Sequence, residues 1–320
     1  MAEISIIIPC YNEEEAIPVY YARMQEIIQS MGVDMELIFV DDGSRDGTLV
    51  QLQQMAREDS AVRYLSFSRN FGKEAGIYAG LRHAKGAYVA VMDVDLQDPP
   101  EMLPEMYGIL QTEAYDCVAT RRSTRTGEPK VRSWLSDRFY QMMHKLSNTD
   151  IVNGARDYRL MTRKMADAVL EMSEYNRFSK GIFQWVGFRT KWLEFANTKR
   201  CAGETKWSFR KLLAYSVEGI TGYTVAPLSL ASVVGLLFCV VSFLMIGFIV
   251  VRTLLFGDPV AGWPSLICVI FLVSGIQLFC LGIVGAYLSR TYLETKKRPI
   301  YILKESGNFP DGEGESHAVA

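Results

Sequence analysis

Two long stretches without charge constrain this chain before any motif does. No Asp, Glu, Lys or Arg occurs from Gly219 through Val251, nor from Pro259 through Ser289. Each run is longer than the roughly 20 apolar residues needed to cross a bilayer. Both are rich in Leu, Val, Ile and Phe and outlast an ordinary core helix. Basic residues flank the pair: Lys206, Arg210 and Lys211 before it, Arg290, Lys296, Lys297 and Arg298 after it. The connector from Arg252 to Gly262 carries one Arg and one Asp. The positive-inside rule therefore predicts a helical hairpin with both outer flanks in the cytoplasm.

The remaining residues are expected on that cytoplasmic side, because a predicted strand begins at Ile4 with no signal peptide before it. The expected organisation is a folded catalytic unit over 1–205, an amphipathic juxtamembrane segment over 206–226, a two-helix transmembrane hairpin over 227–292 and a cytoplasmic tail over 293–320. The tail is polar and acidic after Gly307 and is expected to be disordered there. At 320 residues the chain has room for about two domains of roughly 150 residues. A net charge of −2 gives no basic surface for nucleic acid. Six cysteines without a CxxC spacing and three scattered histidines imply reduced thiols and no zinc site.

The first 120 residues alternate two periods. Ile4–Pro9 is a continuous apolar run, as in a strand buried on both faces. Helix is expected over Glu14–Met31, strand over Glu36–Val40, helix over Asp46–Glu58 with Asp46 as N-cap, and strand over Val62–Phe67. Helix over Lys73–Ala84, strand over Ala87–Met92 and helix over Glu101–Leu110 complete the series. Repeated βα units imply a mostly parallel sheet with helices on both faces. Ligands of such sheets bind beyond the carboxyl ends of the strands.

Those ends carry the polar groups: Tyr11-Asn12-Glu13, Asp41-Asp42-Gly43-Ser44, Ser68-Arg69-Asn70 and Asp93-Val94-Asp95. Two carboxylates at i and i+2 beyond an apolar strand, Asp93 and Asp95, suit a hard divalent cation whose other ligands are diphosphate oxygens. Past residue 120 lies a basic, turn-rich segment, Arg121–Lys130. An amphipathic stretch over Ser133–Ser147 and a structured element over Asn153–Met161 follow. Lys206–Gly219 mixes Lys and Arg with Trp207, Phe209 and Tyr215, a composition for the headgroup region.

Several of these motifs together resemble one family. Ile6-Ile7-Ile8-Pro9-Cys10-Tyr11-Asn12-Glu13, Asp41-Asp42-Gly43-Ser44, Asp93-Val94-Asp95-Leu96-Gln97-Asp98-Pro99 and Arg159-Leu160-Met161 resemble the inverting family 2 glycosyltransferases of the GT-A fold. The branch is that of polyprenyl-phosphate sugar synthesis. Asn70-Phe71-Gly72-Lys73-Glu74, Gly203-Glu204-Thr205-Lys206 and Glu294-Thr295-Lys296-Lys297-Arg298-Pro299 are similar to the bactoprenol glucosyltransferases. The resemblance implies a GT-A, Rossmann-like catalytic domain followed by the two-helix hairpin, in a bacterial inner membrane. It implies that Pro9, Tyr11 and Glu13 line a nucleotide pocket, that Asp41 and Asp42 reach uracil and ribose, and that Asp93 also contacts the nucleotide sugar. Asp95, Gln97 and Asp93 would surround Mg²⁺ or Mn²⁺. The resemblance implies that Asp157 matches the carboxylate usually proposed as catalytic base, with Asp95 and Asp93 the other catalytic residues, and that Arg122, Arg138, Arg200 and Lys206 would hold an acceptor phosphate. Cys10 stands where Val is frequent, at a position expected to be buried.

The activity so implied is transfer of a sugar, glucose first, from a UDP-sugar to undecaprenyl (polyprenyl) phosphate with inversion, for cell-envelope or O-antigen glycan modification. UDP-N-acetylglucosamine and GDP-mannose are alternative donors, and an inactive membrane scaffold is the non-enzyme alternative. A processive polysaccharide synthase would want a Gln-x-x-Arg-Trp motif, which is absent, and a transporter would want charges inside the spans. Membrane lipid is an expected partner. So is a second copy of the chain, through Gly275, Gly282 and Gly285.

Overall fold

The computed structural model describes residues 2–122, 152, 154–195, 224, 226–256 and 262–309. It divides into two compact units, Met1–Ser216 with Lys297–Ala320, and Val217–Lys296. In the first, strands β1 (Ile4–Cys10), β2 (Met35–Asp41), β3 (Val62–Phe67) and β4 (Tyr88–Val91) alternate with helices α1 (Ala16–Met31), α2 (Thr48–Glu58) and α3 (Lys73–His83). A short 3-10 turn at Pro100–Met102 leads into α4 (Leu103–Thr112). There follow β5 (Cys117–Arg122), β6 (Ala155–Thr162), α5 (Arg163–Glu171), α6 (Ser179–Trp185) and β7 (Thr190–Phe195).

The sheet has eight strands in the order β7-β5-β6-β4-β1-β2-β3-β8, where β8 is Leu303–Gly307. The βα half is parallel: β1 pairs with β2 and β4, and β2 with β3. The later half is mixed, since β6 runs antiparallel to β4 and β5 while β5 and β7 are parallel. Ile4, Ile6, Ile7 and Ile8 of β1 are fully buried, which is what their unbroken apolar run requires of a central strand. Asp46 is not the N-cap of α2. Gly47 takes that position, and the Asp46 carboxylate, one residue outside, still accepts from Thr48 N–H at 3.1 Å.

The polar segment after the second apolar stretch supplies β8, antiparallel on the open edge of β3. Tyr301 stacks on Phe67 with ring centroids 5.0 Å apart, and Asn308 donates its amide to Val62 O at 2.8 Å. These contacts cover an edge that would otherwise present unpaired backbone groups.

The second unit holds two helices, α7 (Ala226–Phe256, 31 residues) and α8 (Trp263–Thr295, 33 residues). At about 1.5 Å per residue each exceeds the ~30 Å hydrocarbon core, so both are long and apolar enough to cross a membrane. Tyr287 Oη–H donates to Thr224 O at 2.6 Å, and Cys280 Sγ–H meets Ala231 O at 3.8 Å. These two pairs advance in opposite directions along the chain, so α7 and α8 are antiparallel. Leu236, Phe243, Leu254, Phe271 and Phe279 are exposed. Apolar surface on that scale seeks lipid or a partner rather than water, so the chain is membrane-associated.

Candidate active site

Four strands deliver carboxylates to the carboxyl-terminal end of the sheet, and the loops between them are laced by backbone hydrogen bonds. After β1, Asn12 adopts φ 53°. Its N–H donates to Ser44 Oγ at 2.9 Å, while its Oδ1 accepts from Arg45 N–H at 2.9 Å. Glu13 N–H donates to Thr48 Oγ1 at 2.9 Å. Tyr11 and Glu13 are therefore held half-buried on a loop fixed to the one after β2, and Pro9, also half-buried, lies just before it in β1. Cys10 is buried as expected, at 2% exposure.

The two carboxylates ending β2 are both buried and both engaged internally. Asp41 accepts from Ser44 N–H at 2.9 Å and from Ser66 Oγ–H at 2.8 Å. Asp42 accepts from Phe71 N–H at 2.6 Å and Gly72 N–H at 2.9 Å. Burial pushes the Asp42 carboxyl up to about 6, against those two donors. Gly43 then turns the chain at φ +66°, where a Cβ would stand 2.5 Å from the Arg69 carbonyl carbon. Only glycine fits that approach.

Beyond β4 the chain presents Asp93 and then Asp95, the latter 8% exposed. Asp95 Oδ1 accepts from Gln97 N–H at 3.1 Å, and Gln97 Oε1 accepts from Arg122 Nη2 at 3.1 Å. Asp98 takes Arg156 in a two-pronged pair at 2.6 and 3.2 Å. The same guanidinium lies 3.8 Å from Asp93 Oδ2. Asp157 comes from β6, beside Arg159, whose guanidinium donates to Asp157 O at 3.2 Å and lies over the Phe183 ring at 3.8 Å.

Lys73, the first residue of α3, joins the two groups. Its ammonium is 2.7 Å from Asp93 Oδ1 and donates to Asp157 Oδ2. Burial alone would raise the Asp157 carboxyl, but Lys73, Lys180 and Arg159 together hold it well below the ordinary carboxylate range. Burial works against the charge on Lys73, and Asp157 and Asp93 overcome it, holding the amine well above the usual lysine value.

Of the expected residues, the structure joins Asp93 to Asp157 through Lys73 and Asp95 to Arg122 through Gln97, at the same end of the sheet as Asp41 and Asp42. Arg138, Arg200 and Lys206 lie outside the described residues. Sequence reasoning assigned no role to Lys73, Arg156, Asp98 or Lys180. Lys73 stood within the Asn70–Glu74 motif, and a cation opening a helix, where the dipole disfavours it, was the available signal. The all-oxygen set of Asp93, Asp95 and Gln97 fits a hard divalent cation. Among the described residues no group of three or more His, Cys, Asp or Glu gathers in a metal-holding cluster.

Comparison with known proteins gives this arrangement a context. The glycosyl transferase family 2 model matches residues 5–170. The prophage bactoprenol glucosyl transferase homolog of Escherichia coli K12 is 40% identical over 302 residues, 94% of this chain and 98% of the relative. The bactoprenol glucosyl transferase of Shigella phage SfII is 40% identical over 304 residues, 95% of this chain and 98% of the relative. Among solved structures, glucosyl-3-phosphoglycerate synthase from Mycobacterium tuberculosis, crystallised with Mn²⁺, UDP and phosphoglyceric acid, is 20% identical. That alignment covers 68% of this chain and 75% of the synthase, with a TM-score of 0.47.

Proposed function

This chain belongs to glycosyl transferase family 2, and from that premise we propose that it transfers glucose from UDP-glucose to a polyprenyl phosphate, inverting C1. The observation that carries the reading is the extent of the match: 40% identity covers 98% of a relative named bactoprenol glucosyl transferase, apolar helices included. We place the catalytic unit on the cytoplasmic face of a bacterial inner membrane, with α7 and α8 as a two-span anchor. Lys and Arg at the two outer flanks support that orientation.

In the proposed reaction the bond between C1 and the diphosphate oxygen breaks and UDP departs with the electron pair. A phosphate oxygen of the lipid forms the new bond from the opposite face. The barrier lies in charge gathering on the leaving diphosphate. Asp95, with Gln97 and Asp93, would hold Mg²⁺ or Mn²⁺, which would neutralise that charge. Pro9, Tyr11, Glu13, Asp41 and Asp42 would shape the uridine pocket, the two aspartates largely by fixing its loops. Arg122 would help compensate the acceptor phosphate, with Arg138, Arg200 and Lys206 assigned the same task. A phosphate monoester has a second pKa of about 6 and is already largely anionic at neutral pH. Asp157, itself held ionised by its neighbours, would therefore orient groups around C1 rather than take a proton.

The test is direct. The full chain in lipid nanodiscs is given undecaprenyl phosphate, a divalent cation and, in turn, UDP-glucose, UDP-N-acetylglucosamine, UDP-galactose or GDP-mannose. Mass spectrometry of the lipid should show one added hexose from UDP-glucose. Addition of an N-acetylhexosamine alone would overturn the choice of glucose, and no UDP release from any donor would overturn the enzyme reading.

A further inference from the structure

We propose that Lys73 is a positioning residue of this site, a single ammonium that fixes Asp157 against Asp93 and so sets the spacing between donor and acceptor sides of the reaction. The inference rests on the function proposed above. Its observation is the bridge itself, 2.7 Å to Asp93 Oδ1 at the end of β4 and a hydrogen bond to Asp157 Oδ2 on β6.

The backbone around Lys73 is fixed from two further directions. Asp42, at the end of β2, takes the N–H groups of Phe71 and Gly72 immediately before it. Gly72 turns at φ +98°, delivering the chain into α3 with Lys73 first. Glu74, immediately after, accepts from Ser179 N–H at 2.8 Å and so ties the start of α3 to α6. Asp93 and Asp157 thus meet at the Lys73 ammonium, while Asp42 and Glu74 fix the backbone on either side of it.

Helix stability does not account for this placement. A cation in the first turn opposes the helix dipole, and α3 carries its other basic residues, Arg82 and His83, in the last turn. Two carboxylates drawn together also repel unless a cation lies between them. A lysine suits that task, because it offers a compact point charge with three rotatable donors rather than a planar fork. Arg156 already serves Asp98 in the bidentate manner. Asp93 thus has Oδ1 on Lys73 and Oδ2 facing Arg156. Lys73 then acts on the reaction through Asp157.

Four full-length variants test this: Lys73→Met, Lys73→Arg, Asp157→Asn and the double variant Lys73→Met/Asp157→Asn. Each is assayed for kcat, for KM of UDP-glucose and for thermal unfolding. Lys73→Met should lower kcat about 100-fold, the scale of a misplaced reacting group, with KM for UDP-glucose changed far less. Lys73→Arg should recover part of that loss. The double variant should be no slower than Asp157→Asn alone, since a residue acting through Asp157 has nothing left to position. Losses that multiply in the double variant would overturn the proposal. So would a Lys73→Met chain that does not fold beside a fully active Lys73→Arg, because the ammonium would then be structural only. A wild-type chain that releases no UDP overturns the function itself, and this inference falls with it.

Discussion

The two ends of the same sheet handle buried carboxylates in different ways. At the amino-terminal end, Glu36 of β2 is 2% exposed and surrounded by partners of the fold. Ser5 Oγ–H and Lys85 N–H, the latter at 2.9 Å, both donate to its Oε1, and Arg63 pairs with Oε2. Ser5 Oγ in turn accepts from Gly86 N–H at 2.7 Å, closing the turn before β4. One anion meets one cation, and a hydroxyl and a backbone N–H complete the set. At the carboxyl-terminal end, Asp93 and Asp157 share Lys73, while Arg156 pairs with Asp98 and reaches Asp93. The first arrangement fastens neighbouring strands; the second draws carboxylates from separate strands onto shared cations. Strongly perturbed titratable groups such as Lys73 and Asp157 cluster at functional sites.

Substitution at each end should break different properties. The largest effect is expected for Asp95→Asn, which keeps volume and removes charge. Turnover of UDP-glucose should fall about 10²- to 10³-fold, the usual loss when one electrostatic contact to a transition state is removed, while thermal unfolding changes little. A large drop in melting temperature with turnover intact would place Asp95 among the fasteners. Glu36→Ala should do the reverse. Removing one partner of a buried ion pair costs about 3–5 kcal/mol. Urea unfolding should report that loss, whereas turnover per folded molecule should stay near wild type.

The sequence made this division only half readable. The βα half was legible almost residue by residue, because a short apolar run such as Ile4–Pro9, ended by turn residues, fits a strand buried on both faces. That carboxylates cluster at strand ends was legible too, since topology alone sends Asp42, Asp93 and Tyr11 to one side. The return of β8 was not. Leu303-Lys304-Glu305-Ser306-Gly307 is short and charged, and it becomes a strand because β3 offers an open edge with Phe67 for Tyr301 to cover. Nor did sequence distinguish the carboxylates from one another. Asp41 is consumed by Ser44 and Ser66, and Lys73 finds Asp157 across 84 residues of chain. Such pairings depend on side-chain placement in three dimensions, which periodicity does not encode.

The smallest of the expected effects concerns Asp42, which lies at the functional end but is bonded like a fastener. Its folded carboxyl titrates near 6, raised by burial, against an unfolded value of about 3.9. Below about pH 4 the group is protonated in both states and contributes no pH dependence. Between about pH 4 and pH 6 the unfolded chain releases the proton first, so the native state holds more protons and stability falls as pH rises. The full penalty stands above pH 6 and amounts to no more than about 3 kcal/mol by linkage. Urea midpoints of wild type and Asp42→Asn, taken from pH 4 to pH 7, isolate the term by difference. The variant should be weaker throughout, because its amide cannot accept from both Phe71 and Gly72, yet its deficit should shrink as pH rises through the window. A deficit that grew instead would mean that the two N–H donors outweigh burial, making the Asp42 carboxylate a stabilising anion like Glu36.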